Sequence, residues 1–207
     1  MINQNLLDSS NIEVKEKVGD IHVLQYKRDM SVSPFESKTE FLAAKMNINR
    51  RQVLINFDGT KEYTVQAGAM QWMSGSVEMT SGIKGAGDFI EKMISASVTK
   101  ETTAKPEYKG VGTLMLEPTY RHILITDVAD WGGSLVLDDG LFLACDSAVK
   151  QKVVARSNIS SAVLGKEGLF NLSLNGKGLA VLESIVPKEE IIEFNLENDV
   201  LKIDGNM

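Results

Sequence analysis

Val53-Leu54-Ile55-Asn56-Phe57-Asp58-Gly59, followed by Tyr63-Thr64-Val65-Gln66-Ala67-Gly68-Ala69-Met70, is an apolar run, a turn, a second apolar run and a second turn. Short runs of β-branched and aromatic residues stopped by Asp-Gly or Gly read as strands joined by tight turns. The same grammar continues along the chain. Runs at 112–116 and 122–125 flank Pro118, and 134–137 meets 141–145 across Asp138-Asp139-Gly140 at hairpin spacing. Further runs lie at 153–155, 169–174, 179–182, 191–196 and 200–203. Glycine is abundant at 17 and proline scarce at 4, as expected for many short strands. An all-β sandwich or barrel is the fold class this spacing predicts.

Two segments break the pattern. From 88 to 98, Phe89, Ile90, Met93, Ile94 and Val98 recur near helical spacing, with Asp88 as N-cap and Glu91 completing a capping box, so one short α-helix is expected there. Residues 35–46 stay open between helix and strand, because Phe35, Phe41, Leu42 and Met46 suit either.

An internal repeat organises the rest. Val53-Leu54-Ile55 with Val65 to Met70 superposes on Ile125 with Leu137 to Phe142, placing Gly68 on Gly140. A weaker third copy runs over 180–203, so the units are about 53–73, 123–144 and 180–203. Residues 1–45 read as an N-terminal extension with the first strands, and 46–207 as the repeated domain. One unit alone exposes an apolar face and needs a sibling to cover it, which predicts stacked β layers and open edges that pair between subunits.

The 207 residues carry 22 basic and 28 acidic side chains, a net charge of −6, with 43% hydrophobic and 24% charged residues. That balance fits a soluble globular chain and argues against a dedicated nucleic-acid binder. No apolar run is long enough to span a bilayer. The N-terminus reads as neither a signal nor a transit peptide, so a cytoplasmic location is expected. A single cysteine, Cys145, excludes an internal disulfide framework and suits a reducing compartment.

No catalytic constellation emerges, and no cofactor or metal set is expected. His22 and His122, the only histidines, lie a hundred residues apart, without the clustered ligands that zinc prefers. Cys145 reads as a buried structural thiol. Gly82-Ile83-Lys84-Gly85-Ala86-Gly87-Asp88 lacks the ending of a phosphate-binding loop and reads as a flexible connector. Asp127, Asp130, Asp138 and Asp139 match no calcium loop and suit turns. The basic residues Lys27, Arg28, Arg50, Arg51, Lys150, Lys152 and Arg156, with Tyr26, read as a solvated face. Candidates for a ligand or subunit interface are Met70, Trp72 and Met73 in a methionine-aromatic concentration, and Trp131 beside Gly132-Gly133.

Ala67-Gly68-Ala69-Met70-Gln71-Trp72-Met73, Leu116-Glu117-Pro118-Thr119-Tyr120 and Asp139-Gly140-Leu141-Phe142-Leu143-Ala144 resemble the altered-inheritance-of-mitochondria protein 24 family. Gly165-Lys166-Glu167-Gly168-Leu169-Phe170-Asn171 and Gly176-Lys177-Gly178 extend the resemblance over about residues 40–207. The resemblance implies a TRAP-like architecture of duplicated β units, named after the tryptophan RNA-binding attenuation protein and often assembled as rings or trimers. It links a fungal relative to mitochondrial inner-membrane organisation, and transfers neither a catalytic residue nor RNA binding. The family pattern continues past Lys202-Ile203-Asp204-Gly205-Asn206-Met207, so the chain reads as C-terminally shortened or as carrying an incomplete last repeat.

The functional expectation is a bacterial, non-enzymatic scaffold or binding protein of unknown ligand, working as a homo-oligomer with a trimer favoured. The alternative is a small-molecule or peptide binder using a pocket between β units, and a hydrolase with an unrecognised site is third.

Overall fold

A computed structural model describes residues 5–79, 105–138, 140–155 and 170–202 of the chain. The helix expected at 88–98, the glycine run at 82–87, Asp139, Arg156 and the stretch 165–169 lie outside the described residues. The elements run β1 (Ile12–Val18), β2 (Ile21–Tyr26), α1 (Ser37–Lys45), β3 (Arg51–Asp58), β4 (Tyr63–Val65), β5 (Met70–Met79) and β6 (Glu107–Leu116). They continue with β7 (His122–Asp127), β8 (Ser134–Leu137), β9 (Phe142–Asp146), β10 (Lys150–Ala155), β11 (Phe170–Asn175) and β12 (Leu179–Ser184). Among the described residues the fold is all-β apart from α1 and short 3-10 turns.

Among the described residues nine strands form one sheet that curls into a nearly closed barrel, in the order β1-β2-β3-β6-β4-β9-β12-β7, with β5 on the other edge of β6. A second sheet has three strands in the order β10-β11-β8. Strands β3 and β4 are two pieces of one path along β6, with Asp58 opposite Val111 and, after the turn, Tyr63 opposite Tyr108. The break at 59–62 lets the second piece also pair with β9, Val65 opposite Ala144.

Burial explains why the decisive strands read as continuous apolar runs. Val53, Ile55 and Phe57 point into the barrel with Ile21, Tyr63 and Leu114. Leu54 points the other way, onto Leu24, Met115 and Trp72. In β12, Val181 faces the barrel while Ala180 and Leu182 meet Leu172, Leu174 and Leu137 of the second sheet. A strand covered on both faces loses polar alternation.

The segment left open at 35–46 is helical. Ser33 donates its backbone N–H and hydroxyl to Glu36, fixing the approach, and good helix formers fill 40–45. Asn47, at φ 61°, closes the helix while the Ile48 N–H reaches back to the Ala43 carbonyl. The strands expected at 191–196 and from 200 onward are not formed: residues 191–202 carry no strand. Alternation makes an extended chain amphipathic, but a strand also needs a neighbouring edge, and none lies beside this segment among the described residues.

The tightest backbone contact joins β5 to β6. Gly75 sits opposite Gly112, and Val77 opposite Gly110. A Cβ on Gly110 or Gly112 would collide with the carbonyl oxygens of Ser76 or Ser74, and one on Gly75 would lie 2.6 Å from that of Val111. At Gly68, by contrast, φ is +82° and a Cβ would meet nothing within 4 Å. Gly110→Ala and Gly112→Ala are therefore expected to cost about 2–3 kcal/mol each. Gly68→Ala should cost only about 1 kcal/mol, the strain of a left-handed backbone alone. Urea unfolding midpoints compared at constant slope measure the difference.

Candidate functional site

Two glycine turns face each other across a cleft of about 240 Å³. In the first, the Ala69 N–H reaches the Gln66 carbonyl at 3.0 Å and Gly68 takes a left-handed backbone. In the second, the Leu141 N–H reaches the Asp138 carbonyl at 3.4 Å and Gly140 has φ 79°. Glycine suits both places because positive φ strains other residues. The Gln66 N–H donates to the Leu143 carbonyl at 2.8 Å, locking one turn to the strand after the other. Glu117, Pro118 and Thr119 complete the cleft, with Glu183 on β12. Three of the stretches that carry the family resemblance thus meet at one place, although they are far apart in sequence. With the carboxylates of Glu117 and Glu183 and the side chains of Phe142 and Leu143 in its lining, the cleft suits a cationic or amide-bearing group.

The interface candidates lie elsewhere, and none of the four lines this cleft. Met70 and Met73 are exposed on β5. Trp72 is half-buried against Leu24, Leu54 and Met115. A register shift between Met70 and Trp72 breaks simple alternation there. Trp131 is exposed at the end of the 3-10 turn Val128–Trp131, and its indole Nε1–H donates to Thr126 Oγ1 at 2.8 Å. The structure does not gather Trp131 with the β5 residues into one hydrophobic cluster.

The basic face needs correction at Arg50 and Arg51. Arg51 is 4% exposed. Its Nε–H donates to Gln25 Oε1 at 3.0 Å, and its terminal nitrogens donate to the Asn47, Asn49 and Arg121 carbonyls and Asn47 Oδ1. Neutral acceptors therefore satisfy this guanidinium. Arg50 stacks over the Tyr26 ring at 4.1 Å and pairs with Asp29 at 3.1 Å. Asp29 also accepts from the Ser31 N–H and hydroxyl and from the Tyr120 hydroxyl. Burial opposes its ionisation, but the Ser31 and Tyr120 hydrogen bonds and the Arg50 charge outweigh it and hold the carboxyl below its ordinary range. Burial and the bond to Asp29 push the Tyr120 hydroxyl up to about 12. This network ties β3 to the loop before α1, while Arg28 grips Glu40 of α1 through Nε at 3.0 Å. Sequence reading missed it because an Arg-Arg pair looks like surface. The one available signal was Asn47 and Asn49 just before, polar residues able to cap a guanidinium.

The reactive residue types are placed quietly. Cys145 is fully buried, and burial with the nearby Asp146 charge pushes its thiol up to about 12. Burial and Lys17 lower the basicity of His22, and burial and Arg51 lower that of His122. Asp127 caps the turn before Trp131, accepting from the N–H groups of Ala129 and Gly178 at 2.8 and 3.1 Å. Among the described residues no group of three or more His, Cys, Asp or Glu is placed to hold a metal ion. Among them, no helix is long and apolar enough to cross a membrane.

Comparison with known proteins adds the family. A family model described as mitochondrial biogenesis AIM24 matches residues 44–207. No curated protein matches the chain. Among the solved structures that match is a Streptococcus pyogenes protein from a structural-genomics consortium. It is 21% identical with a TM-score of 0.46, and the match covers 67% of this chain and 61% of that one.

The Asp29 network makes stability fall with acid. A carboxyl held below its unfolded value stabilises above about pH 4, and that contribution disappears as pH falls through the native value. Asp29→Asn is expected to cost about 1–2 kcal/mol at pH 7 and to flatten the acid limb of a stability–pH curve measured by urea unfolding. Cys145 should react with a thiol reagent only at the rate of unfolding, which timed absorbance at native and denaturing urea concentrations checks.

Proposed function

Since this chain belongs to the mitochondrial biogenesis AIM24 family, we propose on that premise that it is a non-enzymatic scaffold or binding protein working as a homo-oligomer, with a trimer favoured. The apolar surface of the last described segment carries this reading. Ile185, Val186, Ile191, Ile192, Phe194, Leu196, Val200 and Leu201 are all exposed within seventeen residues. So many large apolar side chains exposed on one stretch of chain favour an interaction site there. A TRAP-like assembly and a bacterial cytoplasmic setting belong to the same proposal. The buried thiol supports the non-enzymatic part, since nucleophile chemistry needs a reachable, activated group.

A second reading rests on the cleft between the two glycine turns. There the protein binds a small molecule or peptide carrying a cationic group, with Glu117 and Glu183 as the recognising carboxylates.

Light scattering on the size-exclusion peak tests the first reading. A discrete multiple of the 22.7 kDa chain mass is expected. A monodisperse monomer at tens of micromolar would remove the oligomer and leave the cleft reading in front.

A further inference from the structure

The cleft between the glycine turns is built twice from one plan. The internal repeat that sets Gly68 on Gly140 also sets Gln66 on Asp138, Ala69 on Leu141 and Met70 on Phe142. In each turn the residue after the glycine donates its N–H to the carbonyl three residues back, Ala69 to Gln66 and Leu141 to Asp138. The glycine φ is 82° in one and 79° in the other. In each, a glutamate then donates its backbone N–H to the carbonyl of that same residue: Glu117 to Ala69 and Glu183 to Leu141, both at 2.7 Å. The strand pairs beside the turns match as well. Met70 lies opposite Leu116 and Phe142 opposite Leu182, with a register shift next to each pair. Glu117 and Glu183 are therefore equivalent positions of two half-sites.

The cleft of about 240 Å³ thus receives two carboxylates from duplicate scaffolds. The rest of its lining is uncharged, with Pro118, Phe142 and Leu143 supplying apolar surface. Neither glutamate pairs with a lysine or arginine among the described residues. Two like charges in one recess without a counter-ion repel each other, so a ligand that neutralises both is favoured twice.

We infer that the cleft binds a linear diamine, one ammonium on Glu117 and the other on Glu183, joined by a short methylene chain along the apolar lining. Duplicate half-sites suit a ligand with two like ends. An ammonium offers three donors and no acceptor, which a carboxylate accepts without a further proton donor. A methylene spacer matches an uncharged, partly apolar wall. Joining the two ends makes the second contact intramolecular, so a diamine outbinds a monoamine whose chain has the same length. The inference rests on the cleft reading above and narrows its cationic group to a dication whose length the two glutamates set.

Calorimetric titration of the full chain at low ionic strength tests it, with putrescine, cadaverine and 1,6-diaminohexane as probes and n-butylamine as the single-ended control. One of the diamines should bind at least about tenfold more tightly than n-butylamine, and its affinity should fall as salt is raised. Glu117→Gln and Glu183→Gln should each bring that diamine down to the level of n-butylamine, by equal factors, because the half-sites are equivalent. The double variant should bind none of the amines. Both substitutions leave the backbone N–H bonds in place and both side chains are at least partly exposed, so the unfolding midpoint should not move. If n-butylamine binds as tightly as every diamine, or only one of the two variants loses affinity, the paired site is wrong and a cleft for a single cation survives. If no amine of the set binds at millimolar concentration, both fall together.

Discussion

Strand β6 hydrogen-bonds to three other strands, and it can do so only because two of its residues have no side chain. On one edge it carries β3 and then β4; on the other it carries the whole of β5. The β5 backbone comes so close at Gly110 and Gly112 that a single methyl group would strike a carbonyl oxygen. From that contact the rest of the barrel follows. With β3 and β4 aligned along one edge, β4 is free to pair with β9, and β9 brings β12 and β7. Strands β9 and β12 then lie between two apolar layers, the barrel interior and the three-stranded sheet, and this double burial holds the second sheet in place.

Polar residues do a different job at the barrel margin. Burying a charged group costs free energy unless its hydrogen-bonding capacity is met. Arg51 meets that requirement with carbonyl and amide oxygens from the loop after α1 and from Arg121. Asp29 meets it with Arg50, Ser31 and Tyr120. Both networks connect the N-terminal strands and α1 to β3 and the start of β7, so residues before position 46 are bound into the same sheet as those after it. Strand β2 pairs directly with β3, Ile21 opposite Ile55, which makes the connection continuous through the backbone as well.

The functional proposals draw on two kinds of surface. The cleft between the glycine turns is concave and acidic, built by residues from four separate stretches. The segment after β12 exposes a series of large apolar side chains, from Ile185 to Leu201. A protein that assembles through the second would leave the first open as a ligand site, so the two readings are compatible in one molecule.

Much was legible in the residues themselves. The runs around Val53, Leu114, Leu124, Leu135 and Leu172 are strands because alternating or continuous apolarity, β-branched content and Gly or Asp-Gly stops are local properties. The all-β class and the turns at Gly68 and Gly140 follow from the same local physics. The burial of Cys145 does too, since it follows the apolar run Phe142-Leu143-Ala144. Long-range pairing decided the remainder. Residues 191–196 have the alternation of a strand and form none, because strand formation needs a second edge that no local pattern specifies. Arg51 lies in the interior, not on the surface, because acceptors from four residues happen to converge on it. Trp72 is half-buried while Met70 and Met73 are exposed, owing to a register shift that only the β5–β6 pairing creates. The cleft itself, with Glu117 and Glu183 at its rim, exists because strands distant in sequence are neighbours in the sheet. Local sequence determines what each segment can be. Which segments become neighbours is settled by the collective burial of their side chains, and that sum is visible only in the folded molecule.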